Sequence, residues 1–169
     1  MQLTLMPLTE RDLHELIEAP DAFAQRHALT IALDACAPAF IYKRALTNMR
    51  AAPDWAGVLS TRLYVLDAER LVVGSGGVKV PPLDDGEVEI GYGMAPAWQR
   101  KGLATQAARL LTGEALAHGA SKVSAFTRPD NTASWKLLQR IGYSRDGETT
   151  DPVDGLVWRW LHRGRNNRG

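Results

Sequence analysis

The segment Met94-Ala95-Pro96-Ala97-Trp98-Gln99-Arg100-Lys101-Gly102-Leu103-Ala104-Thr105 has the composition of an anion site. An alternating run, Glu87 to Met94, precedes it. A run with apolar residues at helical spacing, Leu103, Ala107, Leu110, Leu111, Ala115 and Leu116, follows it, so the segment joins a strand to the start of a long helix. N–H groups in the first turn of a helix have no internal partner, and the helix dipole adds partial positive charge at that end. Gly102 lets the backbone approach a bulky phosphate, and Arg100 and Lys101 add mobile positive charge beside it. Neither familiar phosphate loop is present. No Gly-x-x-x-x-Gly-Lys-Ser/Thr occurs, and Gly74-Ser75-Gly76-Gly77 lacks the spacing of the dinucleotide fingerprint, which disfavours a phosphate-loop nucleotide enzyme.

The elements that must hold this loop are readable on both sides of it. Leu3 and Leu5 alternate with polar residues up to Pro7, a short first strand. Thr9 is placed to cap a helix carrying Leu13, Leu16 and Ile17 and ending near Pro20. The Ala- and Leu-rich stretch 21–55, broken by Pro38 and Pro53, predicts two further short helices with a bend between them. From Arg62 the period changes. Leu63 to Leu66, the turn Asp67 to Arg70, and Leu71 through Val80 read as a β-hairpin. A turn over 81–86 leads into the strand Glu87 to Met94, whose alternation puts Glu87 and Glu89 on one face. The long helix runs from Gly102 to His118 and ends at Gly119. A buried strand follows over 122–127, then a helix opened by Asn131 or Thr132 and stopped at Gly142, then strands over 143–149 and 156–161. This order predicts an α/β fold, a mixed sheet with helices on both faces, in one domain over residues 1–162. Residues 163–169 form a polar, basic tail expected to be disordered.

Gln99-x-x-Gly102-x-Ala104, after a strand and opening a helix, resembles the pyrophosphate-binding motif of the GNAT superfamily of acyl-CoA-dependent N-acetyltransferases, Gln/Arg-x-x-Gly-x-Gly/Ala. Glu89-Ile90-Gly91-Tyr92 before the loop, and Asn131-Thr132-Ala133-Ser134 with Gly142-Tyr143 after it, extend the resemblance over residues 62–150 and are most similar to the RimJ/RimL branch. The resemblance implies a mostly antiparallel twisted sheet of six to seven strands, splayed between the fourth and fifth strands, with the arm of acetyl-CoA in the gap. It implies cofactor contacts from Met94, from Gln99, Arg100, Lys101, Gly102, Leu103, Ala104 and Thr105, and from Asn131, with Ser134 near the thioester sulfur. A tyrosine stands seven residues after that asparagine in many members and protonates the leaving thiolate; here the position is Leu138. Ser134 is left as the hydrogen-bond donor, or the thiolate leaves unaided, its solution pKa being about 8.5. An attacking amine must first lose a proton. Glu89, acting through a water, is the expected base, with Glu87 as the alternative, and a backbone N–H near Met94 is the expected oxyanion donor.

Ordinary roles compete with these. Glu89 reads equally as a sheet carboxylate paired with a lysine or arginine, Ser134 as a helix-surface serine, and Asn131 as a helix N-cap that also touches ligand. Without the tyrosine, an acyl-CoA-binding sensor is the alternative to an enzyme. The balance of 20 basic and 19 acidic residues, net +1, provides no global field for nucleic acid or an anionic membrane. The expected partner is therefore an amine acceptor, a small molecule or a protein N-terminus, and the resemblance adds a possible homodimer. Cys36 is the sole cysteine, which excludes an internal disulfide and fits a reducing, cytoplasmic setting. His14, His27, His118 and His162 show no metal-ligand spacing, so no metal is expected.

Overall fold

Thr9 starts the first helix with a capping box: its hydroxyl accepts from the Asp12 N–H at 3.1 Å while the Asp12 carboxylate accepts from the Thr9 N–H at 2.9 Å. The helix α1 (Glu10–Glu18) ends at Ala19, and Pro20 at once opens α2 (Pro20–His27), its fixed φ suiting a first helical position. These elements belong to a computed structural model that describes residues 1–164. The remaining elements are β1 (Leu3–Pro7), β2 (Thr30–Ile31), α3 (Ala39–Ala51), α4 (Ala56–Leu59), β3 (Arg62–Leu66), β4 (Leu71–Val78), β5 (Glu87–Met94), α5 (Leu103–His118), β6 (Lys122–Thr127), α6 (Thr132–Arg140), β7 (Ser144–Asp151) and β8 (Gly155–His162). Short 3-10 turns occupy Pro53–Trp55 and Pro96–Trp98.

Seven strands pair in the order β1-β3-β4-β5-β6-β8-β7, antiparallel except for β5 beside β6, and β2 pairs parallel with β4 off this path. Seven strands lie on this path, the upper end of the expected count, and the two-residue β2 makes an eighth. No local signal marks β2. It exists because β5 covers β4 only from Gly74 to Val78, which leaves the edge of Leu71 and Val72 for Thr30 and Ile31 to pair with. The region 21–55 therefore holds two full helices, this strand and the 3-10 turn Pro53–Trp55, where two helices were expected.

Strand alternation separates two apolar layers. On one face Tyr64, Leu66, Val73, Val88 and Ile90 pack against Leu103, Ala107 and Leu111 of α5 and Leu137 and Leu138 of α6. On the other, Leu63, Val65 and Val72 pack against Leu13, Leu16, Phe23, Tyr42 and Leu46 of α1, α2 and α3. Gly74 and Gly76 belong to the first layer. A Cβ at Gly76 would lie 2.0 Å from the Tyr64 hydroxyl and 2.4 Å from the Gly91 carbonyl oxygen, so this glycine is what lets the buried tyrosine lie across β4. Of the polar tail, Arg163 and Gly164 are described, and the Gly164 N–H donates to His162 Nδ1 at 3.0 Å; 165–169 lie outside the described residues.

Candidate active site

The strand β5 is held on both sides for only part of its length. It pairs with β6 at three positions, Glu87 with Lys122, Val88 with Val123 and Glu89 with Ser124, and no further. Its antiparallel partner β4 continues along it up to Gly74 opposite Met94. From Ile90 onward β5 therefore has an open edge. Which groups face that edge follows from the antiparallel alternation: Ala95 N–H bonds Val73 O at 2.8 Å and Lys79 N–H bonds Glu89 O at 2.8 Å, so Gly91 and Gly93 also turn their amides toward β4. Tyr92 and Met94 turn theirs into the gap. There the Met94 carbonyl accepts from Gln99 Nε2 at 3.2 Å, which closes the following loop back onto the strand.

That loop ends in an unusual backbone. Arg100 has φ +61° and Gly102 φ +75°, two left-handed residues flanking Lys101. Alternation of this kind curls consecutive N–H groups around a concave anion site, and a non-glycine residue held at positive φ is the sort of strain that persists at ligand clamps. The first bond of α5 runs from Gln106 N–H to Gly102 O at 3.2 Å, so the amides of Leu103, Ala104 and Thr105 have no helical acceptor. A Cβ on Gly102 would meet nothing within 4 Å. Glycine is thus required by φ, and the space beside it is open. A cavity of about 530 Å³ lies here, bordered by Tyr92, Gly93 and Met94, by Gln99, Arg100, Gly102, Ala104 and Thr105, and by Asn131 and Ser134 across the gap. The exposed cations Lys136 and Arg140 of α6 add to Arg100 at its rim. Two expected contacts differ: the Lys101 ammonium sits over the Trp98 ring, 5.8 Å from its centroid, and the Leu103 side chain is buried in the core, so neither side chain borders the cavity.

Across the gap, Asn131 caps α6, its Oδ1 accepting from the Ser134 N–H at 3.2 Å. Ser134 then lies 2.8 Å, Oγ to Oη, from the hydroxyl of Tyr92. This contact joins the splayed strand to the helix. Burial pushes the Tyr92 phenol up, partly offset by the bond to Ser134, so it stays protonated and can donate. Leu138 is fully buried in the core, one side of α6 away from any role with the thiolate.

The two glutamates of β5 have different surroundings. Glu87 is buried and takes Arg159 Nη2 on both oxygens, at 2.5 and 2.6 Å, with Lys122 Nζ at 3.5 Å. Glu89 stands where β5 and β6 part. Its Oε1 accepts from Lys79 Nζ at 2.7 Å, Oε2 has no partner among the described residues, and its side chain is 23% exposed. It borders a cavity of about 370 Å³ that also touches Tyr92, Asn131, Ser134 and the β7–β8 turn. A third cavity, of about 340 Å³, lies under α3 on the face that carries Glu89. Register explains it: Ser75 sits opposite Gly93 and Gly77 opposite Gly91, so four adjacent positions of one sheet face carry almost no side chain. Tyr92 borders all three cavities. Cys36 on the third cavity's wall is pushed up in pKa by burial, against a hydrogen bond with Tyr42, and is no activated nucleophile.

Residues 2–144 match the family model described as the acetyltransferase (GNAT) domain. The chain belongs to the GNAT acetyltransferase family. Its fold is that of solved acetyltransferases. Ribosomal-protein-S5-alanine acetyltransferase from Vibrio fischeri superposes with a TM-score of 0.70 at 15% identity, over 98% of this chain and 95% of that one. RimL, the ribosomal L7/L12 alpha-N-protein acetyltransferase in complex with coenzyme A, gives 0.67 at 17% identity, over 96% and 94%. Aminoglycoside acetyltransferase AAC(6')-Ib in complex with coenzyme A gives 0.63 at 19% identity, over 96% and 95%.

In this GNAT enzyme Met94, Gln99, Arg100, Gly102, Ala104, Thr105, Asn131 and Ser134 gather on one cavity, and Glu89 stands at the fork beside it. Sequence reasoning missed Tyr92, Lys136 and Arg140. The first had a signal: Tyr92 falls on the same face of β5 as Val88 and Ile90, where a phenol needs a partner for its hydroxyl. Among the described residues no group of three His, Cys, Asp or Glu could hold a metal ion, and no helix is long and apolar enough to cross a membrane.

Proposed function

We propose that this GNAT enzyme transfers the acetyl group of acetyl-CoA to a primary amine by direct attack in a ternary complex. The observation that carries the reading is the open edge of β5, where the Tyr92 and Met94 amides point into the gap that continues into the anion-binding start of α5. The amides of Leu103 to Thr105, curled by Arg100 and Gly102, hold the pyrophosphate, and Arg100, Lys136 and Arg140 supply positive charge for it. Pantetheine amides pair with Tyr92 and Met94 as a β-strand would, with Asn131 on the opposite wall. Lys101 and Leu103 contribute backbone only.

At the reacting end the residues divide the work. Glu89 accepts the amine's proton through a water, its Oε2 being available while Lys79 orients Oε1. The neutral amine attacks the thioester carbonyl, and a backbone N–H of the splayed strand near Met94 donates to the oxyanion. As the C–S bond breaks, the electron pair leaves on sulfur, and Ser134, backed by the Tyr92 hydroxyl, donates to the thiolate. Glu87 has no part in this, because Arg159 and Lys122 occupy it. The same reading puts the enzyme in a reducing, cytoplasmic compartment, supported by its single cysteine.

The experiment is a thiol-release assay with acetyl-CoA over N-terminal peptides, polyamines, aminoglycosides and amino acids, run beside Glu89→Gln. Release on one acceptor class, reduced in the variant, is the expected result. Tight coenzyme A binding with no release on any amine would leave a sensor of acyl-CoA instead.

A further inference from the structure

Charged side chains on the walls of the three cavities are nearly all engaged or exposed. Arg128 is paired with Asp130, Lys79 with Glu89, and Asp151 accepts from the Val153 and Asp154 N–H groups. Asp34, Asp154, Arg100, Lys136 and Arg140 are exposed. Arg44 differs from all of them. It lies on α3, half-buried, bordering the cavity of about 340 Å³, and its guanidinium has no hydrogen-bond or ion-pair partner among the described residues. The floor of that cavity is the bare patch Ser75, Gly77, Gly91 and Gly93, and its remaining wall is largely Ala35, Cys36, Ala37, Pro38 and Ile41. The residue lies partly buried along this wall, its guanidinium paired with no carboxylate among the described residues and so available to a ligand. Its planar fork of donors matches a carboxylate.

From this we infer that Arg44 is the anchor for a carboxylate on the acceptor, so that the enzyme's substrates are primary amines carrying an acid group a few bonds from the nitrogen. The inference rests on the acetyltransferase reading and gives it a substrate class. The cavity lies on the face of β5 that carries Glu89, and Tyr92, Gly93 and Met94 border both it and the coenzyme A cavity. An amine held in it by a carboxylate on Arg44 meets the thioester at the fork. A Cβ on Gly93 would meet nothing closer than 4.0 Å, so the floor of the cavity has room for a ligand at that residue. The volume is at the small end for ligand pockets, which suits an amino acid or the first residue of a peptide better than a multi-ring sugar. Lys79 on the same wall adds positive charge once Glu89 has taken up a proton, and Asp34 is the one acid at the rim.

Two matched pairs of amines test this: alanine against alaninamide, and an amidated tripeptide beginning with aspartate against the same peptide beginning with asparagine. The first pair represents a free amino acid and the second a peptide N-terminus. Each is measured by thiol release and by calorimetric titration into the coenzyme A-loaded protein, with wild type, Arg44→Gln and Arg44→Lys. In at least one pair the acid is expected to bind and react better than its amide by about tenfold or more, an ion-paired hydrogen bond lost on amidation. Arg44→Gln then raises KM for the acid toward that of the amide with kcat and coenzyme A affinity unchanged, and Arg44→Lys restores part of the preference. Equal handling of acid and amide by wild type in both pairs, or equal loss on both in Arg44→Gln, overturns the inference while leaving the acetyltransferase reading standing. Binding of the acid with no turnover of any amine would instead refute that reading and keep the carboxylate site. A change in coenzyme A affinity in Arg44→Gln would show a structural role and also overturn it.

Discussion

Glu87 and Glu89 are two residues apart on one face of β5, and their isosteric amides are expected to fail in opposite ways. In Glu89→Gln the amide oxygen can still accept from Lys79, and the native pair is partly exposed, 23% for Glu89 and 37% for Lys79. Pairs of that kind are worth about 0–1 kcal/mol, so the melting temperature should move by no more than about 3 °C. Loss of the proton acceptor should instead lower kcat by about 10²–10⁴-fold, or about 3–5 kcal/mol of barrier. Glu87→Gln removes the charge that pairs with Arg159 and Lys122 and one of the two oxygens that accept from Arg159 Nη2, at a side chain only 9% exposed. Breaking a buried pair costs about 3–5 kcal/mol, which the partial exposure of both cations reduces to about 2–3 kcal/mol. For a chain of this length that lowers the melting temperature by roughly 5–10 °C, while kcat of the folded enzyme stays within about threefold of wild type. The assay is thiol release at 25 °C with saturating acetyl-CoA, beside thermal unfolding of the same samples. Full activity in Glu89→Gln, or a stable and inactive Glu87→Gln, would refute the assignment of the two roles.

Gly102→Ala places a side chain at φ +75°, costing about 1–2 kcal/mol with no steric contact, and should raise KM for acetyl-CoA by about tenfold while lowering the melting temperature only a few degrees. Initial-rate kinetics against acetyl-CoA and against acceptor separate the two effects. Tyr92→Phe and Ser134→Ala should each lower kcat by about tenfold, and the double variant by no more than the worse single, because the two hydroxyls act as one unit; additive losses would separate them. Burial raises the Asp12 carboxyl, but bonds from His27, the Thr9 N–H and Arg26 outweigh it and bring it from 3.8 to about 2. A carboxyl with a depressed folded pKa stabilises above its unfolded value and loses that contribution as pH falls through the folded one. Urea unfolding should therefore show about 2 kcal/mol lost between pH 4 and pH 2, with a shallower fall in Asp12→Asn.

What could be read from the chain was what depends on near neighbours. The anion site was legible because a strand end, two cations, a glycine and a helix start follow one another within twelve residues, and Asn131 and Ser134 were legible as one turn of one helix. Tyr92 was not singled out, since the hydroxyl it meets is 42 residues away on α6. Nor could the sequence choose between Glu87 and Glu89: the choice depends on Arg159, 72 residues on, and on pairing with β6 that stops at Glu89. Gly74-Ser75-Gly76-Gly77 was legible only as a failed nucleotide motif. Its place became clear from register, two glycines seating Tyr64 and the other two residues baring the acceptor face opposite Gly91 and Gly93. The order of the strands after Arg62 followed from periodicity, whereas β2 exists only because a neighbouring strand is short.

Amide hydrogen exchange at Tyr92 and Met94, with and without coenzyme A, reads directly whether the acyl-CoA arm pairs with the open edge of β5. Both amides should exchange readily in the free enzyme and become protected on binding, while Gly91 and Gly93, bonded to β4 in either state, change little. Tight coenzyme A binding that leaves Tyr92 and Met94 unprotected would contradict that pairing.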